Sequence, residues 1–175
     1  MNQSEFPDFS RFTAPTVASG VTKRVGTLTE FSELLQGERG NETYGRYLNP
    51  TLTETEKVLE SFLGAERVLV FSSGMAAISS TIAGLAKPET KFVYSHECYR
   101  KTDQLFLSLR SHYSYPVTGL RSEDFKDQDW RNSFQDNEHL IIFLETPSNP
   151  LLKLVDVEEL CGKLDNLGIR DKVTV

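Results

Sequence analysis

Cysteine, histidine and long apolar runs are all scarce in this chain. Among 175 residues the only cysteines are Cys98 and Cys161, far apart and in no Cys-x-x-Cys arrangement. Two free thiols in a reducing compartment are therefore expected. The three histidines, His96, His112 and His139, have no metal-ligand spacing. No apolar run approaches the ~20 residues that a membrane-spanning helix needs. The opening "MNQSEFPDFSRF" has neither the basic nor the apolar segment of a secretory signal. Positive charge is also short: 19 Lys and Arg stand against 25 Asp and Glu, for a net charge of −6, with no basic run. That balance argues against nucleic acid or an anionic membrane as the main partner. What remains is a soluble, cytoplasmic chain long enough for one domain with its own core.

What is present falls into two parts. Residues 1–50 show little periodicity and many breakers, Pro7, Pro15, Gly20, Gly26, Gly37, Gly40, Gly45 and Pro50. Apart from a short helix in "TEFSELLQG", this reads as an extended N-terminal arm that lies on its own domain or on a neighbouring subunit. From residue 51 the pattern changes. "TLTETEKVLESFLGAE" has Leu52, Val58, Leu59, Phe62 and Leu63 on one stripe, with Thr53 and Glu56 as a capping box and Gly64 as the C-terminal cap. "RVLVF" follows as a short strand buried on both faces, then a helix from about Met75 to Leu85, broken by "KPET".

The alternation then repeats. "KFVYS" is a predicted strand and "YRKTDQLFLSLRS" a helix with Leu105, Phe106 and Leu109 inward. "HYSYPV" is a weak strand and "SEDFKDQDWRNSF" a polar helix or turn. "HLIIFLE" is the strongest strand, "VDVEELCGKLDNLG" an amphipathic helix, and "KVTV" opens one more strand. Strands alternating with crossover helices give an α/β fold with a mostly parallel sheet covered on both faces.

One junction in this pattern suits a ligand. At "VLVFSSGMAAISS" a strand ends in Ser72, Ser73 and Gly74 and feeds directly into a helix. Ligands of open α/β sheets collect beyond the carboxyl ends of strands. A helix start there offers free backbone N–H groups and positive potential, which suits a phosphate. Tight packing of small residues is the alternative. The stretch is not a Walker A loop, a GxGxxG turn or a GxSxG elbow.

Four stretches in order, "YGRYLNPT", "SSGMAA", "HECYRKT" and "ETPSNP", together resemble the cystathionine γ-synthase/methionine γ-lyase family, the transsulfuration enzymes that use pyridoxal 5'-phosphate. The resemblance runs from about residue 40 to the C-terminus, and "ETPSNPLLKLVDVEEL" is its most specific part. It implies a fold-type I large domain like that of aspartate aminotransferase, of which residues 51–175 are the first half, incomplete at the C-terminus. It also implies that Ser73, Gly74 and Met75 grip the cofactor phosphate, which Tyr44 and Arg46 reach from the neighbouring subunit. Tyr99 would stack on the pyridine face and move a proton as the catalytic residue. Asn149 would sit beside the ring oxygen and the substrate carboxylate. A forked guanidinium for a phosphate and an aromatic partner for a flat ring are sound chemistry on their own account. Glu145 ends a strand at the presumed site edge, to serve the site or cap the next turn. The sequence departs from the family at Gly45, where serine is common, and at Arg100 and Lys101, where small residues are common.

The resemblance further implies β- or γ-elimination or replacement on a sulfur-containing or activated amino acid, in a homo-oligomer (dimer or tetramer). This chemistry also needs a lysine tether and an aspartate against the pyridine nitrogen. In the family both lie beyond the position of Val175. Lys87, Lys91, Lys101 and Lys153 do not match the anchoring context and read as exposed charges. The alternative is a non-catalytic relative that acts as a binding or oligomerisation partner.

Overall fold

The computed structural model describes residues 17–22, 24–36, 44–126 and 139–175. The arm before Val17 and the part of the predicted polar segment after Lys126 lie outside the described residues. The chain divides into two compact units that meet between Val70 and Phe71.

In the first unit, the helix predicted in "TEFSELLQG" is α1 (Leu28–Leu35), started by Thr27, whose hydroxyl accepts from the Glu30 N–H. Glu30 reaches back to accept from the Gly26 N–H at 2.9 Å, satisfying a second donor of the helix entry. An antiparallel bridge joins Thr22 to Tyr44, and the Gly45 N–H donates to the Val21 carbonyl at 2.7 Å.

Helix α2 (Pro50–Leu63) begins four residues earlier than a Thr53 cap allows. Asn49 is its N-cap, accepting from the N–H groups of Thr51 and Leu52, with Pro50 in the first helical position. The expected Thr53–Glu56 capping box therefore does not form, because Asn-Pro starts the helix first. The Asn49 amide also donates to the Ala18 carbonyl, and the Ala18 N–H to Thr51 Oγ1, which fastens the preceding segment to the helix start. At the other end Gly64 has φ +63°, the left-handed cap predicted for it.

"RVLVF" is not a strand. Residues 67–71 have no ladder partner among the described residues, and Leu69 is 73% exposed. An apolar extended run becomes a strand only where another strand takes its backbone groups. Here α2 takes two of them instead: Glu60 Oε1 accepts from the Val68 N–H and Glu56 Oε1 from the Val70 N–H, at 3.3 and 3.0 Å.

The second unit is the α/β body. It contains α3 (Gly74–Leu85), β1 (Thr90–Ser95), α4 (Arg100–Tyr113), β2 (Val117–Leu120), a 3₁₀ turn (Ser122–Lys126), β3 (His139–Phe143), α5 (Val157–Asn166) and β4 (Val173–Thr174). All strand pairs are parallel and the order is β2-β1-β3-β4. The weak strand expected over "HYSYPV" begins only at Val117, because α4 continues to Tyr113 and Ser114 closes it in a left-handed cap.

Alternation along the strands builds a core on each face. Phe92 and Tyr94 of β1 and Ile141 of β3 pack with Ile82 of α3 and Phe106 of α4. Val93, Leu140 and Ile142 turn to the opposite face, against Leu160 and Leu164 of α5, Phe125 and Val173. A parallel sheet covered on both sides is the predicted arrangement. It puts the carboxyl ends of β1, β2 and β3 side by side.

Candidate functional site

Helix α3 starts at an open corner of the second unit. Ser73 is the N-cap, and its hydroxyl accepts from the Ala76 N–H at 3.1 Å. The N–H groups of Gly74 and Met75, the first two of the helix, have no protein acceptor among the described residues. Ser72, Ser73 and Gly74 are exposed, and a Cβ built on Gly74 would meet nothing within 4 Å. An anion can thus reach two oriented donors at the positive helix end. Met75 turns inward, where its Sδ accepts from Thr102 Oγ1 at 3.6 Å. This contact fixes the start of α3 against the first turn of α4.

Tyr99 stands at the N-cap position of α4, 46% exposed and with no side-chain cap. Its N–H donates to Glu145 Oε2 at 2.9 Å, so Glu145 holds the loop that carries Tyr99. Just inside, the Tyr94 hydroxyl donates to Asp103 at 2.8 Å. Burial, with Asp103 adding to it, holds the Tyr94 phenol far above its ordinary range. Cys98 is buried, and burial pushes its thiol up to about 11, the condition of an inert cysteine.

Asn149 is exposed on the turn after β3. The neck of that turn is closed by three bonds. The Ser148 N–H donates to the Lys153 carbonyl (2.9 Å), the Lys153 N–H to Ser148 Oγ (3.0 Å), and the Leu152 N–H to the Ser148 carbonyl (2.8 Å). Lys153 is not a free amine: its Nζ lies 2.6 Å from Glu97 Oε1. Lys101 Nζ donates to Gln104 on its own helix. Arg100 and Lys101, the departures from the family pattern, occupy the first turn of α4 beside Tyr99.

Tyr44 and Arg46 belong to the first unit, where they form a pair of their own. The Arg46 guanidinium donates to the Tyr44 hydroxyl at 2.9 Å and lies 4.9 Å from the centre of its ring, while Tyr47 meets Tyr44 edge-on. Arg46 is exposed.

Within the second unit the structure joins Met75 to the helix of Tyr99 through Thr102, and joins Tyr99 to the loop of Asn149 through Glu145. Thr102 and the Glu97–Lys153 pair did not stand out in the sequence. Glu97 is two residues from Tyr99 at a strand end, and that position was the one available signal.

The Cys/Met metabolism PLP-dependent enzyme family matches residues 8–170 of this chain. The chain belongs to that family. Its relatives include cystathionine gamma-lyase of Macaca fascicularis, 26% identical over 167 residues, which are 90% of this chain and 40% of that protein. Cystathionine gamma-synthase of Escherichia coli K12 is 31% identical over 125 residues, 71% of this chain and 32% of the relative. Among solved structures, a methionine gamma lyase from Micromonospora echinospora superposes with a TM-score of 0.69 at 26% identity, covering 93% of this chain and 40% of that one. The metB protein of Corynebacterium glutamicum, at 24% identity and a TM-score of 0.71, shares the fold over 91% of this chain and 39% of its own. The chain thus spans about two fifths or less of the relatives it matches. Its four-stranded parallel sheet corresponds to part of a fold-type I PLP enzyme.

The residues fit pyridoxal 5'-phosphate at its phosphate end and on one ring face. Ser73 and Gly74 are exposed at the positive end of α3 with the half-buried Met75 next to them, and an accessible tyrosine stands at the start of the helix tied to it.

Proposed function

We propose that this chain supplies the phosphate-binding and ring-stacking part of a PLP-dependent enzyme that eliminates or replaces a group at the β or γ carbon of a sulfur-containing or activated amino acid. The observation that carries this reading is the pair of N–H groups at Gly74 and Met75 with no protein acceptor among the described residues, fastened through Thr102 to the helix of Tyr99.

In this reading Gly74 and Met75 donate backbone N–H groups to the phosphate and Ser73 adds its hydroxyl. Arg46, held ready by Tyr44, reaches the phosphate of a neighbouring protomer from the arm of residues 1–50, giving a dimer or tetramer. The bound cofactor supplies the electron sink for the carbanion at the amino acid's α carbon. Tyr99 covers one ring face, and its hydroxyl holds or delivers the proton that the leaving group needs. Asn149 orients the ring oxygen and the substrate carboxylate. No lysine of this chain is assigned as the tether, and Lys153 is engaged by Glu97.

Pyridoxamine 5'-phosphate tests this directly, since its amine cannot attach to stray lysines. Saturable binding to the chain by equilibrium dialysis, displaced by inorganic phosphate, is expected. Gly74→Pro is the sharp variant. Proline suits the first position of a helix, and Ser73 already has the extended backbone (φ −159°, ψ 158°) that a following proline requires. The variant deletes one N–H donor while keeping the helix, so binding should weaken several-fold with unchanged helicity. Wild-type chain that takes up no pyridoxamine 5'-phosphate sinks the reading.

A second reading, a non-catalytic partner for an intact relative, draws on the stripe of α2. Val58, Phe62 and Leu63 stand exposed in the first unit. Light scattering of the chain mixed with an intact homologue should then show a hetero-oligomer, and two unmixed species would remove this reading.

A further inference from the structure

Glu97 lies just past the end of β1, the strand between β2 and β3 in the sheet. Its side chain is 9% exposed, and each carboxylate oxygen is bound to a different neighbour. Oε2 accepts from the Ser122 N–H at 2.9 Å, just past the end of β2. Oε1 lies 2.6 Å from Lys153 Nζ, beyond the end of β3. One carboxylate therefore links the carboxyl ends of three adjacent strands.

The links close into a ring around the two loops of the candidate site. From Glu97 the chain runs through Cys98 to Tyr99, whose N–H is held by Glu145 on the β3 side. From Glu145 it runs to Ser148, which exchanges two hydrogen bonds with Lys153 across the neck of the Asn149 turn. Lys153 returns to Glu97. Tyr99 and Asn149 are exposed on these two loops, and neither side chain takes part in closing the ring. Such a ring restrains where the two loops stand without occupying the groups they present.

We propose that Glu97 and Lys153 are positioning residues, which set the Tyr99 loop against the Asn149 turn and thereby the ring-binding half of the site. The proposal rests on the cofactor reading above for its function, while the geometry it asserts is testable without cofactor. Neither residue touches the ligand in this scheme. Both oxygens of Glu97 are used by protein partners, and Lys153 acts through Glu97 and Ser148. The lysine serves this clasp rather than tethering the cofactor.

The pair also has the electrostatic character of a fixed strut. The Lys153 ammonium and the Ser122 N–H hold the Glu97 carboxyl down to about 2, and Glu97 in turn raises the Lys153 amine above its ordinary range. The charges therefore persist across neutral pH.

The test uses the whole chain, with Glu97→Gln, Lys153→Met and the reversed pair Glu97→Lys/Lys153→Glu. Amide resonances in ¹⁵N spectra are followed first. Lys153→Met should move the Tyr99 amide, which lies on the other loop, and Glu97→Gln should move the amides of Ser148 and Asn149. Binding is followed second, with pyridoxamine 5'-phosphate and inorganic phosphate as paired probes. The single variants should weaken pyridoxamine 5'-phosphate by about fivefold, the size of a lost aromatic stacking contact. Inorganic phosphate, held at the start of α3, should bind as before.

The reversed pair should recover part of the lost affinity, and it keeps the test alive if a single variant leaves a buried charge that prevents folding. A merely structural role would weaken both probes together or neither, and that result overturns the proposal. Unmoved Tyr99 and Asn149 amides overturn it as well. If wild-type chain binds neither probe, the cofactor reading fails, and the amide shifts alone decide whether the clasp exists.

Discussion

In residues 71–175, Phe92, Phe106, Leu140 and Leu164 are sealed from solvent between the sheet and its helices, whereas α2 in the other unit buries none of its residues. Leu34 is the buried apolar residue among those described before residue 71, and Phe62 is 83% exposed. Both parts have amphipathic helices with sound caps. They differ in having a sheet: four parallel strands give the second unit two faces against which an apolar stripe can close, and the described residues of the first unit have a single bridge at Thr22–Tyr44. Helix signals therefore specify a helix but not its burial, which requires an opposing surface.

Substitution should expose this difference most strongly in the two phenylalanines. Phe106 is fully buried and touches the rings of Phe92, Tyr94 and Phe143. Phe106→Ala should remove ~3–5 kcal/mol, enough to unfold the second unit in urea. Phe62→Ser should change stability by no more than ~0.5 kcal/mol. Equal losses at the two sites would show that α2 is buried in solution and break the comparison.

A step down in size is the start of α2. Asn49 satisfies two helix N–H groups and ties down Ala18. Asn49→Ala should destabilise the helix by ~1 kcal/mol. Hydrogen exchange resolved by peptide should report it as faster exchange over 50–63 with no change over 139–143. Thr53→Ala, at the cap that the sequence pattern favoured, should leave 50–63 unchanged.

That contrast shows what was legible in the sequence. Parallel alternation, the strands at Thr90–Ser95 and His139–Phe143, the amphipathic α4 and α5 and the glycine cap at Gly64 all follow from local pattern, and all are present. "RVLVF" has the composition of a strand, but pairing is a non-local property, and in this unit carboxylates of α2 take its N–H groups. The α2 cap was misplaced because two good start signals lie four residues apart and the earlier one, with proline behind it, prevails. At the site, the helix start at Ser73, Gly74 and Met75 was readable, but the strand expected to lead into it is absent among the described residues. Glu97 and Lys153 were not readable, since partners 56 residues apart meet only once the sheet orders its strands.

The strut inside the second unit gives a smaller effect, visible in acid. Glu97 is held at about 2 against an ordinary 4.5, so its folded form binds protons less readily than its unfolded form. The stability it contributes is fully present above pH 4.5 and is lost as pH falls from there toward 2. Thermal midpoints of wild-type chain should therefore fall across that window. Glu97→Gln should start lower at neutral pH and lose less on acidification. Parallel wild-type and variant profiles would mean that Glu97 is not paired in solution.

The smallest effect belongs to the first unit and turns on Arg46. Its pairing with Tyr44 is exposed, so Arg46→Lys should cost well under ~1 kcal/mol, the range of an exposed cation–π contact. A lysine keeps the charge but loses the planar fork that both donates to the Tyr44 hydroxyl and matches a phosphate. If the first unit carries its arginine ready-made to a neighbouring protomer, the variant should weaken self-association in the presence of pyridoxamine 5'-phosphate while leaving association without ligand unchanged. Sedimentation with and without ligand reads this split. An equal loss in both conditions would place Arg46 in the protein contact itself, and the poorly buried unit would then owe its partner to packing rather than to the anion.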